Sequence, residues 1–248
     1  MIVQFDEGHL KRGVSAAKQE TDSTLGIMEE TQARFSADDN PIRYVFQSNM
    51  GSRQRDFQRR WKEVHLDYFH GLLEQLKAEQ TQRTLTRSVH EYLDMRRNTI
   101  AVCQAAIVIE HAERIQLSED IINHPSVQEC RRVAVELTLL HNDTLSYKKD
   151  VASGVDHNLI LVLRSQGYSI HEAMDCVDAM LQDYYKRWYI ALANMPIWGE
   201  EIDRQVLRYV DIYRNIALGG LHWSFKTSRY LGSEGGHVRQ TPMWSVLC

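Results

Sequence analysis

The chain has 248 residues, of which 43% are hydrophobic and 25% are charged. This length and balance predict a folded protein with a sizeable buried core and exclude a disordered, collagen-like or mucin-like chain. Lysine and arginine number 29 against 33 acidic residues, and the net charge of −4 argues against the overall basic field typical of proteins that bind nucleic acid or anionic membranes.

Apolar residues recur at three- and four-residue spacing between widely spaced prolines, a pattern that predicts an all-α protein. No segment alternates β-branched and polar residues over the length of a strand. We predict one domain over 1–248, in which the C-terminal tail 232–248 is a loop or a lid because it is rich in glycine and polar residues. The predicted helices are 14–35, 52–78, 84–115, 125–150, 157–165, 169–194 and 198–230.

Two of these helices differ in pattern. The helix at 52–78 places large apolar residues such as Trp61 and Leu72 among many charges, which indicates one wide buried face. The helix at 84–115 is apolar nearly all round over residues 100–108, which predicts a position in the middle of a helical bundle.

The N-terminus lacks the basic and apolar regions of a secretory signal, and the longest apolar run, Ile100–Ile109, is interrupted by Gln104. The four cysteines are scattered without a CxxC pair, a pattern typical of reduced thiols inside a cell. We therefore expect a cytoplasmic protein that does not insert into membranes.

Three oxygen-bearing side chains follow one another at four-residue spacing in the helix predicted to begin at Pro125. Asn142, Ser146 and Asp150 stand at i, i+4 and i+8, which places them on one helix face. Hard oxygen ligands of this kind suit Mg²⁺, with Mn²⁺ as the alternative ion, and leave coordination positions for substrate phosphates. Lys149 stands beside the carboxylate and would meet the phosphate charge. The alternative interpretation is a solvated helix face.

This stretch resembles a signature of class I terpene synthases. Asn142–Asp150 is similar to their NDxxSxxxE metal-binding motif, with aspartate in place of the usual glutamate at the last position. Arg229 and Tyr230, in the segment Trp223–Tyr230, resemble the C-terminal arginine–tyrosine pair of the same family.

A third feature supports the resemblance. Arg96 stands 46 residues before Asn142, where the family has an arginine that senses the substrate diphosphate, and the adjacent Arg97 is the alternative. The resemblance also implies a helix break, the effector, around Thr99–Ala101, although no glycine stands there.

The first residues of the chain resemble the end of the aspartate-rich motif of fungal sesquiterpene synthases. In Phe5–Leu10, Asp6 takes the place of the last acid, and Ile2 and Val3 occupy the positions of the two leading aspartates. On this basis we expect a class I terpenoid synthase helical bundle that lacks the N-terminal helices of the family.

The resemblance implies a lyase that ionises and cyclises an isoprenoid diphosphate, most readily farnesyl diphosphate, and releases diphosphate with the help of Mg²⁺. It assigns catalysis to Arg96, Arg229 and Tyr230, and diphosphate binding to these three and Lys149. The implied metal ligands are Asp6, Asn142, Ser146 and Asp150. The apolar cavity that shields the carbocation would include Phe5, Trp223 and residues of 100–108.

Two alternatives remain. A non-catalytic relative would keep partial metal and diphosphate binding, because Ile2 and Val3 replace two metal-binding acids. A chain-elongating prenyltransferase fits less well, because such enzymes use a second aspartate-rich motif.

Loss of N-terminal helices would also expose apolar surface of the 84–115 helix and favour a homo-oligomer.

Overall fold

A computed structural model describes residues 14–28, 36, 55–83 and 87–240. Within these residues the regular elements are helices and no strand is present, which confirms the all-α prediction. The chain divides into two compact units, Met1–Gln82 and Arg83–Cys248. None of the described helices combines the length and the apolar composition needed to cross a membrane.

The first unit contains two described helices that contact each other, α1 (Val14–Met28) and α2 (Arg55–Gln80). Helix α2 confirms the predicted amphipathic helix, because Trp61 and Leu72 on one face are 1% and 2% exposed. Residues 29–35, the C-terminal part of the helix predicted at 14–35, lie outside the described residues.

The second unit holds the remaining helices. In chain order they are α3 (Val89–Thr99), α4 (Val102–Ala112), α5 (Glu119–Ile122), α6 (Pro125–Ala152), α7 (Leu159–Ser165), α8 (Ile170–Ala193), α9 (Glu200–Lys226), α10 (Ser228–Leu231), a 3₁₀ turn (Gly232–Glu234) and α11 (Gly235–Gln240).

Helix α6 is the central element of this unit. Pro125 opens it at a position where a missing N–H costs nothing, and α8 and α9 pack along its length. Val133, Leu139 and Leu140 of α6 are completely buried in the resulting core. Because α6 is continuous over 28 residues, it carries the candidate metal ligands on a rigid frame.

The predicted helix 84–115 is two helices. The break lies at Ile100 and Ala101. Ala101 has a left-handed φ of 64°, which ends the helical hydrogen bonding of α3 and redirects the chain into α4. A break around Thr99–Ala101 is therefore confirmed, and its role as effector stays a prediction. The expectation of a helix buried all round is wrong for α4, because Val108 is 48% exposed.

The tail prediction also needs correction. Residues 232–240 form the 3₁₀ turn and α11 instead of a loop, because Leu231 and Val238 are buried against Leu145 of α6. Gly235 permits this packing, since a Cβ there would lie 2.2 Å from the Phe225 carbonyl oxygen. Residues 241–248 lie outside the described part, and closure of the tail as a lid stays a prediction.

Candidate functional site

Two of the predicted oxygen ligands contact each other on α6. The Ser146 hydroxyl donates to Asp150 Oδ2 at 2.5 Å, and the two residues are only 2% and 6% exposed. Asn142 lies one turn earlier and is partly exposed. Burial of Ser146 and Asp150 rules out the alternative of a solvated helix face, because two polar side chains have been withdrawn from water and paired with each other.

Arg96 and Arg97 are separated clearly by their partners. Arg96 Nη2 donates to Asn142 Oδ1 at 3.0 Å, and Arg96 Nη1 donates to Thr99 Oγ1 at 3.2 Å. Arg97 points to the other side of α3, where its Nε donates to Glu136 Oε1 at 2.6 Å. Of the two alternatives, Arg96 is the arginine that lies against the predicted metal ligands.

A buried carboxylate joins α3, α6 and the start of α7. Asp143 Oδ2 accepts from the Tyr92 hydroxyl at 2.5 Å and from the Leu159 N–H at 3.0 Å, while Oδ1 lies 3.5 Å from Arg96 Nη2. Burial raises the pKa of Asp143, and the neighbouring Arg96 charge opposes that rise. Arg96 Nη2 therefore meets both Asn142 Oδ1 and Asp143 Oδ1, two neighbouring acceptors on α6.

Tyr230 closes the site from the C-terminal end. Thr227 separates α9 from α10, and its side chain caps α10 by accepting from the Arg229 N–H at 3.2 Å. The Tyr230 hydroxyl then accepts from Asn142 Nδ2 at 3.1 Å. The helix predicted at 198–230 is therefore interrupted, and the interruption brings Tyr230 to α6.

Two cations lie near the Tyr230 ring. Lys149 Nζ is 3.0 Å from Asp150 Oδ1 and 6.0 Å from the ring centroid, and the Arg229 guanidinium carbon is 5.9 Å from the same centroid. Positive charge thus lies at Asn142 through Arg96, at Asp150 through Lys149 and at the Tyr230 ring through Arg229, which is an electrostatic setting that favours an anion.

Asn158 belongs to this site and was not predicted. It is fully buried, and its Nδ2 donates to Asp150 Oδ2 at 3.0 Å and to the Asp143 carbonyl at 2.7 Å. In the sequence Asn158 stands before an apolar helix, where it predicts a helix cap. Its contacts with Asp150 and Asp143 depend on the packing of α7 against α6, which the local sequence pattern does not reveal.

Other predicted residues lie elsewhere. Asp6, together with Phe5, Ile2 and Val3, lies outside the described residues. Trp223 is 52% exposed and meets the Tyr230 ring edge-on, with 5.9 Å between centroids.

The donor set fits a hard divalent ion. Over the described ranges no group of three His, Cys, Asp or Glu side chains is placed to hold a metal, so a zinc-type cage is not formed there. Asn142, Ser146 and Asp150 instead offer amide, hydroxyl and carboxylate oxygens, and Ser146 can donate its proton to Asp150 while a lone pair faces a metal. Such oxygens, completed by water and phosphate, match the preference of Mg²⁺.

Comparison with known proteins gives a consistent result. The family model "Terpene synthase family 2, C-terminal metal binding" matches residues 5–187. The (+)-eremophilene synthase of Gibberella fujikuroi is 42% identical over 237 residues, which cover 94% of this chain and 66% of the relative. An inactive (1R,4R,5S)-(-)-guaia-6,10(14)-diene synthase of the same fungus is 40% identical, over 96% of this chain and 63% of the relative. The chain thus spans slightly less than two thirds of the length of these two relatives.

The fold has solved counterparts. The linalool/nerolidol synthase from Streptomyces clavuligerus, in complex with 2-fluorogeranyl diphosphate, superposes with a TM-score of 0.79 at 19% identity and covers 92% of this chain and 78% of its own. This similarity supports the assignment of a class I terpenoid synthase helical fold.

Proposed function

The chain belongs to the terpene synthase family, and from this premise we propose that the protein ionises farnesyl diphosphate and cyclises the resulting cation, with release of diphosphate. The observation that carries the proposal is the convergence of Arg96, Asn142 and Tyr230 from three separate helices. The choice of farnesyl diphosphate rests on the likeness of Phe5–Leu10 to fungal sesquiterpene synthases and on the eremophilene synthase relative.

Asn142, Ser146 and Asp150 would hold Mg²⁺, or Mn²⁺ in its place, and Asp6 would contribute from the N-terminal segment. When bound, the ion supplies Lewis-acid stabilisation of the charge on the leaving diphosphate. The single described carboxylate among these ligands leaves the site dependent on substrate phosphate oxygens to complete the coordination.

The chain's own donors bind the diphosphate. Arg96 is held by Asn142, Thr99 and Asp143, so its guanidinium is oriented before the substrate arrives. Lys149, Arg229 and the Tyr230 hydroxyl supply further donors beside the oxygen cluster. As the allylic carbon–oxygen bond breaks, its electron pair leaves with the diphosphate, and these donors stabilise the added charge.

The cation that remains must be shielded from water until it cyclises. The helix break at Ala101 places the start of α4 at the end of α3 that carries Arg96 and Thr99. We assign apolar residues of 100–108 to the wall of the cavity. Aromatic faces would stabilise the migrating charge, but Trp223, which is 52% exposed, is not placed to shield that charge from water.

A second candidate function is diphosphate binding without catalysis. One specific observation favours it: a relative that is 40% identical over 96% of this chain is named as an inactive synthase. Such a protein would retain the Arg96–Asn142–Tyr230 contacts and lack turnover.

Incubation of the purified chain with farnesyl diphosphate, with and without Mg²⁺, separates the two candidates. Gas chromatography–mass spectrometry of the organic extract is expected to show a metal-dependent hydrocarbon or alcohol. The Asn142→Ala variant should lose that product while its melting temperature stays close to that of the parent chain. A folded parent chain that binds inorganic diphosphate with Mg²⁺ and forms no product would favour the second candidate.

A further inference from the structure

We propose that Asn158 is a positioning residue that sets the orientation of the predicted metal ligands Ser146 and Asp150. The inference rests on the proposed function, since it concerns how the same site holds its divalent ion. Asn158 is the N-cap residue of a different element, α7, and would act on the ion only through the side chains of α6.

The orientation of the Asn158 amide is fixed by its surroundings. Its Oδ1 caps α7 by accepting from the Ile160 N–H at 3.0 Å. Its Nδ2 faces acceptors, the Asp143 carbonyl at 2.7 Å and Asp150 Oδ2 at 3.0 Å. A flipped amide would turn an oxygen toward both acceptors and a donor toward the Ile160 N–H, so the contacts permit one orientation only.

This amide fixes one edge of the Asp150 carboxylate. Oδ2 receives two donors, the Ser146 hydroxyl at 2.5 Å and Asn158 Nδ2 at 3.0 Å. Asn158 Nδ2 also lies 3.4 Å from Ser146 Oγ, so one amide contacts both ligands. Oδ1 is left on the side of Lys149, 3.0 Å from its Nζ, where the positive charge of the site lies.

The arrangement matters because position 150 carries an aspartate. The NDxxSxxxE motif that Asn142–Asp150 resembles ends in glutamate, whose side chain reaches one methylene further. A shorter carboxylate has less freedom to adjust to an ion, so its direction must be set by neighbours that are themselves rigid. Asn158 meets that need because it is 0% exposed and its oxygen is committed to the cap.

The test separates the cap from the amide donor. Asn158→Ser retains a good cap residue for α7 and removes both amide N–H groups. Binding is measured as the dissociation constant of Mn²⁺ by electron paramagnetic resonance on the full chain with inorganic diphosphate present. We expect the constant to rise by about 10- to 100-fold, the usual effect of removing a partner of a metal ligand. The melting temperature should fall, because the buried Asp143 carbonyl loses its amide donor, and binding is therefore compared at a temperature where both chains are folded.

Ser169→Ala is the matched control. Ser169 caps α8 through a reciprocal pair with Glu172. Its loss should lower the melting temperature and leave Mn²⁺ binding unchanged. If Asn158→Ser does not fold, Asn158→Thr offers a second cap residue without an amide.

A folded serine or threonine variant that binds Mn²⁺ as tightly as the parent would overturn the positioning role and leave the proposed function intact. A parent chain that binds no Mn²⁺ with diphosphate would contradict the proposed function itself, and the positioning role with it.

Discussion

The Arg96 guanidinium on α3 donates to the Asn142 amide oxygen on α6 across 3.0 Å, although 46 positions separate the two residues in the chain. The nitrogen of the same amide donates to the Tyr230 hydroxyl, 88 positions further on. One side chain of α6 therefore contacts both predicted diphosphate-binding segments. Substitution of any of the three residues removes a contact made by at least one of the other two.

Substitution of the two adjacent arginines should affect different properties, activity for Arg96 and stability for Arg97. Arg96→Ala removes an oriented donor from the site, and we expect kcat to fall by about 100-fold, the typical effect of losing one donor to a developing anion. Asp143 keeps its contacts with Tyr92 and Leu159, so the fold should survive. Steady-state kinetics on farnesyl diphosphate measure this effect.

Arg97→Ala should act on stability instead. Glu136 is 1% exposed, and among the described residues the more distant Arg187, at 3.8 Å, would remain as its cationic partner. We expect a loss of about 1–3 kcal/mol in unfolding free energy, reduced from the cost of a fully buried pair because Arg97 is partly exposed. Equal kinetic losses in both arginine variants would contradict the assignment of Arg96.

Lys149→Ala should weaken binding of the substrate diphosphate. Lys149 lies between the Asp150 carboxylate and the Tyr230 ring, whereas the neighbouring Lys148 is exposed. We expect a several-fold rise in KM for Lys149→Ala, since one cation of a partly solvated site is lost. Lys148→Ala carries the same change in net charge and should leave KM unchanged; a similar rise in both would point to a general charge effect.

Ala101→Gly should stabilise the protein. Ala101 adopts a φ of 64°, which costs a residue with a Cβ about 1 kcal/mol relative to glycine. Ala105→Gly, inside α4, makes the same substitution where the backbone is helical and should destabilise by about 1 kcal/mol. Chemical denaturation measures both, and a destabilised Ala101→Gly variant would show that the left-handed residue is not strained.

His65 should make the chain less stable in acid. Burial lowers the pKa of His65 to about 4, while its Nδ1–H donates to the Trp61 carbonyl at 2.8 Å. Between about pH 6.5 and pH 4 the unfolded chain binds a proton that the folded chain does not, so stability falls as the pH falls through this window. Above it the residue adds no pH dependence. From pH 7 to pH 5 the loss amounts to about 2 kcal/mol.

Thermal unfolding of His65→Gln at the two pH values checks this prediction. The variant should lose less stability between pH 7 and pH 5 than the parent, whatever its absolute stability. His70→Gln changes an exposed histidine on the same helix and should behave as the parent. Identical acid losses in parent and His65→Gln would contradict the assignment.

Much of the helical architecture was predictable because it depends on local periodicity. The amphipathic face of α2 and the continuous helix α6 follow from apolar spacing at 3.6 residues per turn. The same helical repeat places Asn142, Ser146 and Asp150 on one face, and the resemblance pointed to Arg96 and Tyr230 as their neighbours.

The features that sequence reasoning missed depend on tertiary contacts. Glycine and polar residues in 232–240 predicted a loop, yet burial of Leu231 and Val238 against Leu145 stabilises helical structure there. The sequence left Arg96 and Arg97 as alternatives because adjacent side chains differ only in which neighbouring helix they meet. Asn158 carried a cap signal alone, and its contact with Asp150 arises from packing of α7 on α6.

The central claim is that Asn142, Ser146 and Asp150 hold a divalent ion beside a diphosphate bound by Arg96, Lys149 and Tyr230. Crystals grown with Mn²⁺ and inorganic diphosphate, measured at a wavelength where manganese scatters anomalously, test it directly. The account predicts an anomalous peak about 2.1 Å from oxygens of the three α6 side chains, with diphosphate within hydrogen-bonding distance of the cationic donors. A manganese peak elsewhere, with no anomalous peak beside these three side chains, would contradict it.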